Sequence, residues 1–196
     1  MTSSSRWCTL ALAVACGLAA ATPAHAQKKA TGPYREGFWI ALGLGWGSAT
    51  LSCDGCATTR YGSSAVTIRL GGTLNRHLLL GGELNAWSRN KSGVTETVGD
   101  MTAVAYFYPS ASGTFFIKGG VGVAVYDANT SPKLQSGGLG VNVGVGIDLY
   151  LGRTFSLTPY ASFLSAVSGN MKVGGTDTGV AAKPNLFQAG VAVSWH

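Results

Sequence analysis

Charge is what this sequence has least of. Only 11% of its 196 residues are Asp, Glu, Lys or Arg, against about 25% in ordinary soluble domains, and so few charges cover a water-facing surface poorly. Long apolar runs are missing as well. Beyond residue 26 no stretch reaches the 18 or so consecutive apolar residues of a transmembrane helix, which excludes a helical span on length. Basic clusters are absent: only Lys28 and Lys29 are adjacent, leaving no cationic face for nucleic acid. Cysteine is scarce, and two of the four, Cys8 and Cys16, fall in the first 26 residues.

Those first residues differ from the rest. Arg6 precedes an uncharged run from Trp7 to Ala21, followed by Pro23 and the small-x-small triplet Ala24-His25-Ala26, the pattern of a secretory signal peptide cut after Ala26. Leu12 to Cys16 also faintly resembles a lipobox, but Ala13 stands where leucine is usual. Three parts are therefore expected: a signal peptide over 1–26, a short N-terminal periplasmic segment over 27–36, and one domain over 37–196. After cleavage 13 basic and 8 acidic residues remain, a formal charge of about +5.

What is present is hydrophobic residue, 46% of the total, with 29 glycines. An exported chain with apolar excess and no helix points to a closed barrel, because hydrocarbon tolerates no unpaired backbone edge. Eight segments alternate with period two: Gly37–Ala49, Ser64–Asn75, His77–Ser88, Val98–Tyr108, Thr114–Tyr126, Gly138–Leu151, Thr154–Val167 and Leu186–His196. Each is long enough for a tilted strand to cross a bilayer in about 9 to 11 residues. Short turns at Arg76, Pro109–Gly113 and Gly152-Arg153 alternate with longer polar links at Thr50–Ser63, Arg89–Thr97, Asp127–Gly137 and Ser168–Asn185. That asymmetry belongs to outer-membrane barrels, with the long links outside the cell. Phe38, Tyr108, Phe115, Phe155 and Trp195 fall near the short-turn ends of strands and Trp46, Trp87 and Tyr126 near the other ends, as two interfacial girdles would.

The short turns, long outer links, eight strands and the final pattern Phe187-x-x-x-Val191-x-Val193-x-Trp195 resemble the OmpA/OmpX-type small outer-membrane barrels. The likeness spans nearly the whole chain after the leader and rests on pattern. It implies an all-β, eight-stranded antiparallel up-and-down transmembrane barrel in the bacterial outer membrane, with lipids as neighbours and the barrel assembly machinery as a partner in biogenesis. Members commonly end in an aromatic residue; here Trp195 is followed by His196, a departure that bears on the assembly signal and not on the fold.

On the polar faces stand Arg69, Glu83, Asp100, Lys118 and Asp148, which in a barrel this narrow must pair among themselves. A hairpin centred on Arg76 sets Arg69 opposite Glu83, and one centred on Lys133 sets Lys118 opposite Asp148, both of opposite sign. The pairs are expected to fill the lumen as a structural plug; an ion pathway or gate is the alternative. Cys53 and Cys56 flank Asp54-Gly55 in the first long link and are expected to form a local disulfide in an oxidising compartment. Neither zinc ligation nor a redox helix fits their surroundings.

Gly43-x-Gly45 is no nucleotide fingerprint, since no helix follows it. Outer-membrane lipid A deacylases share this architecture, but their His-x-Ser signature is absent, and Ser194-Trp195-His196 reverses it. Neither catalysis nor a cofactor is expected. The functional expectation is a structural or surface-interaction barrel whose outer links meet an unidentified extracellular ligand. A narrow pore, a lipid-acting enzyme and a soluble periplasmic ligand-binding barrel are the alternatives, the last leaving an outer wall of mostly glycine, asparagine and serine, a poor soluble surface.

Overall fold

The computed structural model describes residues 35–53 and 59–196; the expected signal peptide and Cys56 lie outside them. Its strands are β1 (Phe38–Cys53), β2 (Arg60–Asn75), β3 (Leu78–Lys91), β4 (Val94–Phe107), β5 (Phe115–Ala128), β6 (Leu134–Ile147), β7 (Leu149–Tyr150), β8 (Phe155–Ala166), β9 (Asn170–Val173) and β10 (Thr176–Trp195). All pairing is antiparallel, and β10 returns to β1, from Ile40 opposite Trp195 to Cys53 opposite Ala182.

The ten segments make eight staves. β9 pairs with β6 and β10, the two neighbours that β8 also has, so it continues β8. β7 continues β6 in the same way, pairing Leu149 with Leu157 after β6 has paired Gly146 with Tyr160. The lapse between those pairs falls at Ile147 and Asp148, across from Thr158 and Pro159. Proline has no N–H for a ladder, which accounts for an interruption there.

Alternation decides the two faces. Along β1, Phe38, Leu42, Leu44 and Trp46 point outward, Leu44 with 72% of its surface exposed, while Trp39 and Ala41 are buried inside. Val66, Ile68, Val121, Val143, Val191 and Val193 continue the outer apolar band on other strands. Exposed apolar surface on this scale suits hydrocarbon and not water. A soluble barrel with its apolar faces inward is thereby excluded. The interior carries Arg69, Glu83, Asn85, Asp100, Lys118, Asn142 and Gln188, all buried.

The strands run further than the period-two pattern indicates. β3 and β4 join through Ser92-Gly93 alone, and β9 and β10 through Gly174-Gly175. All four residues have positive φ, 54° and 81° in the first turn and 59° and 88° in the second, the conformation of a two-residue type I′ hairpin. Two of the expected long links, Arg89–Thr97 and Ser168–Asn185, are thus largely paired strand. Their residues are polar because these staves have left the apolar band and stand in water on both faces. Arg89 bonds Glu96 at 2.7 Å and Asn90 bonds Thr95 at 2.9 Å across the ladder, so polarity here marks depth and not irregular backbone.

Inside, bulk on one stave is met by glycine on the next. A Cβ at Gly146 would run into the Phe116 ring, and one at Gly43 would crowd Thr67, Ala192 and Tyr160. Gly119 faces open space. Gly146→Val is expected to destabilise the barrel by about 1–3 kcal/mol through overpacking, read as a lower urea midpoint in lipid vesicles. Adding Phe116→Ala should recover part of the loss, and Gly119→Val should leave the midpoint almost unmoved; equal losses at both glycines would show that crowding is not the reason for Gly146.

Candidate functional site

The lumen is layered. At the rim holding the C-terminus, Trp39, Leu79, Val104, Tyr106, Tyr108 and Phe116 form one buried cluster. At the hairpin end, Trp87, Val98, Leu164 and Leu186 pack with Ala49, Ala65, Ala124 and Ala166 in another. Between them lies a polar layer centred on Glu83.

Glu83 gathers most of that layer. Arg69 stands directly across the β2–β3 ladder with its Nε 3.4 Å from one carboxylate oxygen. Lys118 Nζ pairs with the other oxygen, Tyr106 donates its hydroxyl at 2.7 Å, and Asn85 and Asn142 donate amide hydrogens at 2.9 and 3.1 Å. Asn85 also donates to Asp100 at 3.1 Å and accepts from Gln188. The layer is balanced, with Arg69 and Lys118 against Glu83 and Asp100. Arg69 further lies over the Tyr160 ring, 4.1 Å from its centroid. Several buried polar atoms have no partner among the described residues: Arg69 Nη2, Asp100 Oδ1, Asn142 Oδ1, Gln188 Oε1 and the Tyr160 hydroxyl. Groups of this kind in a polar cavity are ordinarily satisfied by internal water.

Lys118 does not pair with Asp148. The β5–β6 register sets Lys118 opposite Gly144, because the turn is centred near Ser131 and not Lys133, a shift of two residues in the turn centre. That shift keeps both side chains inside but separates them along the lumen. Asp148 accepts instead from Tyr108 and Thr158, each at 2.7 Å. Above Tyr108 lies Arg35, its guanidinium 3.6 Å from the ring centroid, donating to the Tyr150 hydroxyl at 3.1 Å and to the Arg76 carbonyl at 3.0 Å. Sequence reasoning misses Arg35: it precedes the first alternating segment, and nothing in its neighbourhood marks it as an inward group.

Three of the expected girdle aromatics face the wrong way for that role. Trp87 is 1% exposed and donates its indole N–H to the Gly47 carbonyl at 3.0 Å. Tyr108 is buried, and Tyr126 packs against the hairpin-end cluster with its hydroxyl 3.3 Å from Glu96. Each shares the parity of an inward charge on its own stretch of chain: Trp87 that of Glu83, Tyr108 that of Asp100, Tyr126 that of Lys118. Phe38, Trp46, Phe115, Phe155 and Trp195 do lie exposed on the outer wall. Cys53 ends β1.

Ser156 Oγ and His196 Nε2 are 3.1 Å apart at the C-terminal rim. Asp148 is engaged by Tyr108 and Thr158, and His196 Nδ1 has no partner among the described residues, so the acid, base and hydroxyl are not aligned as a nucleophilic set. No group of three or more His, Cys, Asp or Glu among the described residues is arranged to hold a metal.

Removing the hub should cost more than removing any spoke. Glu83→Ala strands two buried cations and is expected to cost about 3–5 kcal/mol, measured as the loss in unfolding free energy in vesicles. In double-mutant cycles Lys118→Met should couple strongly to Glu83→Gln and negligibly to Asp148→Asn; coupling to Asp148 alone would restore the pairing that the register contradicts.

Residues 11–194 match the family model for the outer membrane protein beta-barrel domain. Among curated proteins none matches the chain in sequence. Solved structures do resemble it. Neisserial surface protein A aligns at 16% identity and TM-score 0.54, over 81% of this chain and 97% of that one. OprG of Pseudomonas aeruginosa aligns at 15% and 0.53, over 84% and 98%, and Ail, the attachment invasion locus protein of Yersinia pestis, at 14% and 0.53, over 80% and 99%. Ail has also been solved with the heparin analogue sucrose octasulfate. At such identities the likeness speaks for the fold, and together with the family model it makes this chain a member of the outer membrane protein beta-barrel domain family, resident in the bacterial outer membrane.

Proposed function

We propose that this protein is a non-conducting outer-membrane barrel with a structural and surface-interaction role, its lumen plugged by its own charged side chains. The observation that carries the reading is Glu83, held simultaneously by Arg69, Lys118, Tyr106, Asn85 and Asn142 between two hydrophobic layers. A hydrated ion would have to break that cluster and pass Trp87 on one side and the Tyr106, Tyr108 and Phe116 rings on the other. The outer surface then becomes the working part. Its partners are membrane lipids along the apolar band, the assembly machinery during insertion, and an extracellular ligand met by the hairpins, where Lys91, Lys133 and Lys172 stand exposed. A disulfide between Cys53 and Cys56 would stiffen the first hairpin by about 2 kcal/mol in the chain-entropy picture. Likeness to Ail, an attachment invasion locus protein, favours the surface reading.

A narrow pore is the second reading, supported by the unpartnered Arg69, Asp100, Asn142 and Gln188 atoms, which suit a thread of water through the middle layer. Planar bilayers separate the two. The purified protein is expected to give no single-channel steps at ordinary voltages, and Glu83→Ala to produce them. Frequent steps in the unaltered protein, changed in size by Glu83→Gln or Lys118→Met, would establish the pore and end the plug.

A further inference from the structure

The register of β2, β1, β10 and β8 arranges their outward side chains in rows. Leu44 lies beside Val66 and Val191 in the apolar band. Two rows higher, Ser48 stands between Gly62 and Phe187, with Phe163 beyond Phe187. In the next row Thr50 stands between Arg60 and Asn185, and above that Ser52 faces Lys183. The wall changes over a few rows, each about 7 Å of strand rise, from aliphatic to aromatic to hydroxyl, amide and cation. A cavity of about 410 Å³ opens along this gradient, lined by Phe163 and Phe187 below and by Ser48, Thr50, Ser52, Asn185 and Arg60 above.

We propose that this groove seats the phosphate-bearing headgroup of an outer-leaflet lipid. One acyl chain runs down past Phe187 and Phe163 onto the apolar band, and Arg60 and Lys183 meet the phosphate. Three observations commit the groove to a lipid. Its lower lining continues without a break into the wall that hydrocarbon covers. Arg60 and Lys183 are exposed and neither has a carboxylate partner among the described residues. The groove also lies toward the hairpin end, which in this architecture faces out of the cell. Asn185 is fixed for the task, accepting from Ser165 at 2.7 Å and reaching Ser52 at 3.3 Å. The small side chain of Ser48 leaves the notch beside Phe187 open, while the Trp46 ring covers Gly62 on the other side of Ser48. The site rests on the placement in the outer membrane and not on whether the lumen conducts.

Native mass spectrometry of the full chain in non-ionic detergent tests this, with lipid A, phosphatidylcholine and inorganic phosphate as probes. Lipid A is expected to occupy a single saturable site in preference to phosphatidylcholine, and inorganic phosphate not to displace it. Arg60→Gln with Lys183→Gln should weaken lipid A about tenfold, the loss of charge-assisted contacts on an exposed wall, and leave phosphatidylcholine adducts unchanged. Ser48→Trp, which fills the notch without touching a charge, should lower occupancy as well. A heat-dependent gel shift verifies that each variant is a closed barrel. Equal occupancy by both lipids, or wild-type binding by the folded double variant, overturns the proposal. Displacement by inorganic phosphate would make the groove an anion site with no lipid specificity and overturns it equally.

Discussion

Fourteen consecutive residue pairs join β1 to β10, from Ile40 with Trp195 to Cys53 with Ala182, and the remaining architecture depends on that seam. A sheet of eight staves left open would present two rows of unpaired N–H and C=O groups to hydrocarbon, each costing several kcal/mol. Closure removes them. It also sets a narrow inside and, along the lipid band, an outside with nowhere to put charge. The glycines opposite Phe116 and Tyr160 are a result of that narrow circumference: beside these rings the facing stave gives up its side chain.

The same circumference explains the polar layer. Charged groups carried into so small an interior cannot each keep a hydration shell, so they are held by one another. Glu83, opposed by two cations, is the extreme case. Its neighbours Asn85, Asn142 and Gln188 carry amides that can both donate and accept, which lets one connected network reach from β3 to β6 and β10. Removing a buried partner from such a network costs more than the pair contributes over a well-packed apolar alternative.

Alternation was legible in the sequence wherever one face meets lipid and the other meets the lumen, which is why the eight staves and their inward charges could be read from Phe38 to Trp195. The partner of each charge was legible only through a tight turn. Arg76-His77 leaves little freedom, so Arg69 falls opposite Glu83. The link from residue 129 to 133 leaves its centre open by two residues, enough to keep Lys118 and Asp148 on the correct face and assign them the wrong partners. Trp87, Tyr108 and Tyr126 mislead for a different reason: nearness to a strand end suggests an interfacial girdle, although by parity each continues an inward series. Above the lipid both faces are wet, alternation disappears, and the paired strand of Arg89–Thr97 looks like loop. Arg35 carries no periodic signal at all, since its burial depends on contacts with residues far along the chain.

The continuation of β3 into β4 through Ser92-Gly93, and of β9 into β10 through Gly174-Gly175, matters for how the protein meets its surroundings. An external protease has to draw a locally unfolded stretch of chain into its cleft. In the β3–β4 hairpin the backbone is laddered without a break up to the two-residue turn, so a cut there requires several rungs to be unzipped first, whereas β10 shifts register against β9 between Asp177 and Ala181. The same stiffness means that a molecule docking on the β3–β4 hairpin meets a surface whose ordering entropy was lost when the barrel folded, not at the moment of contact.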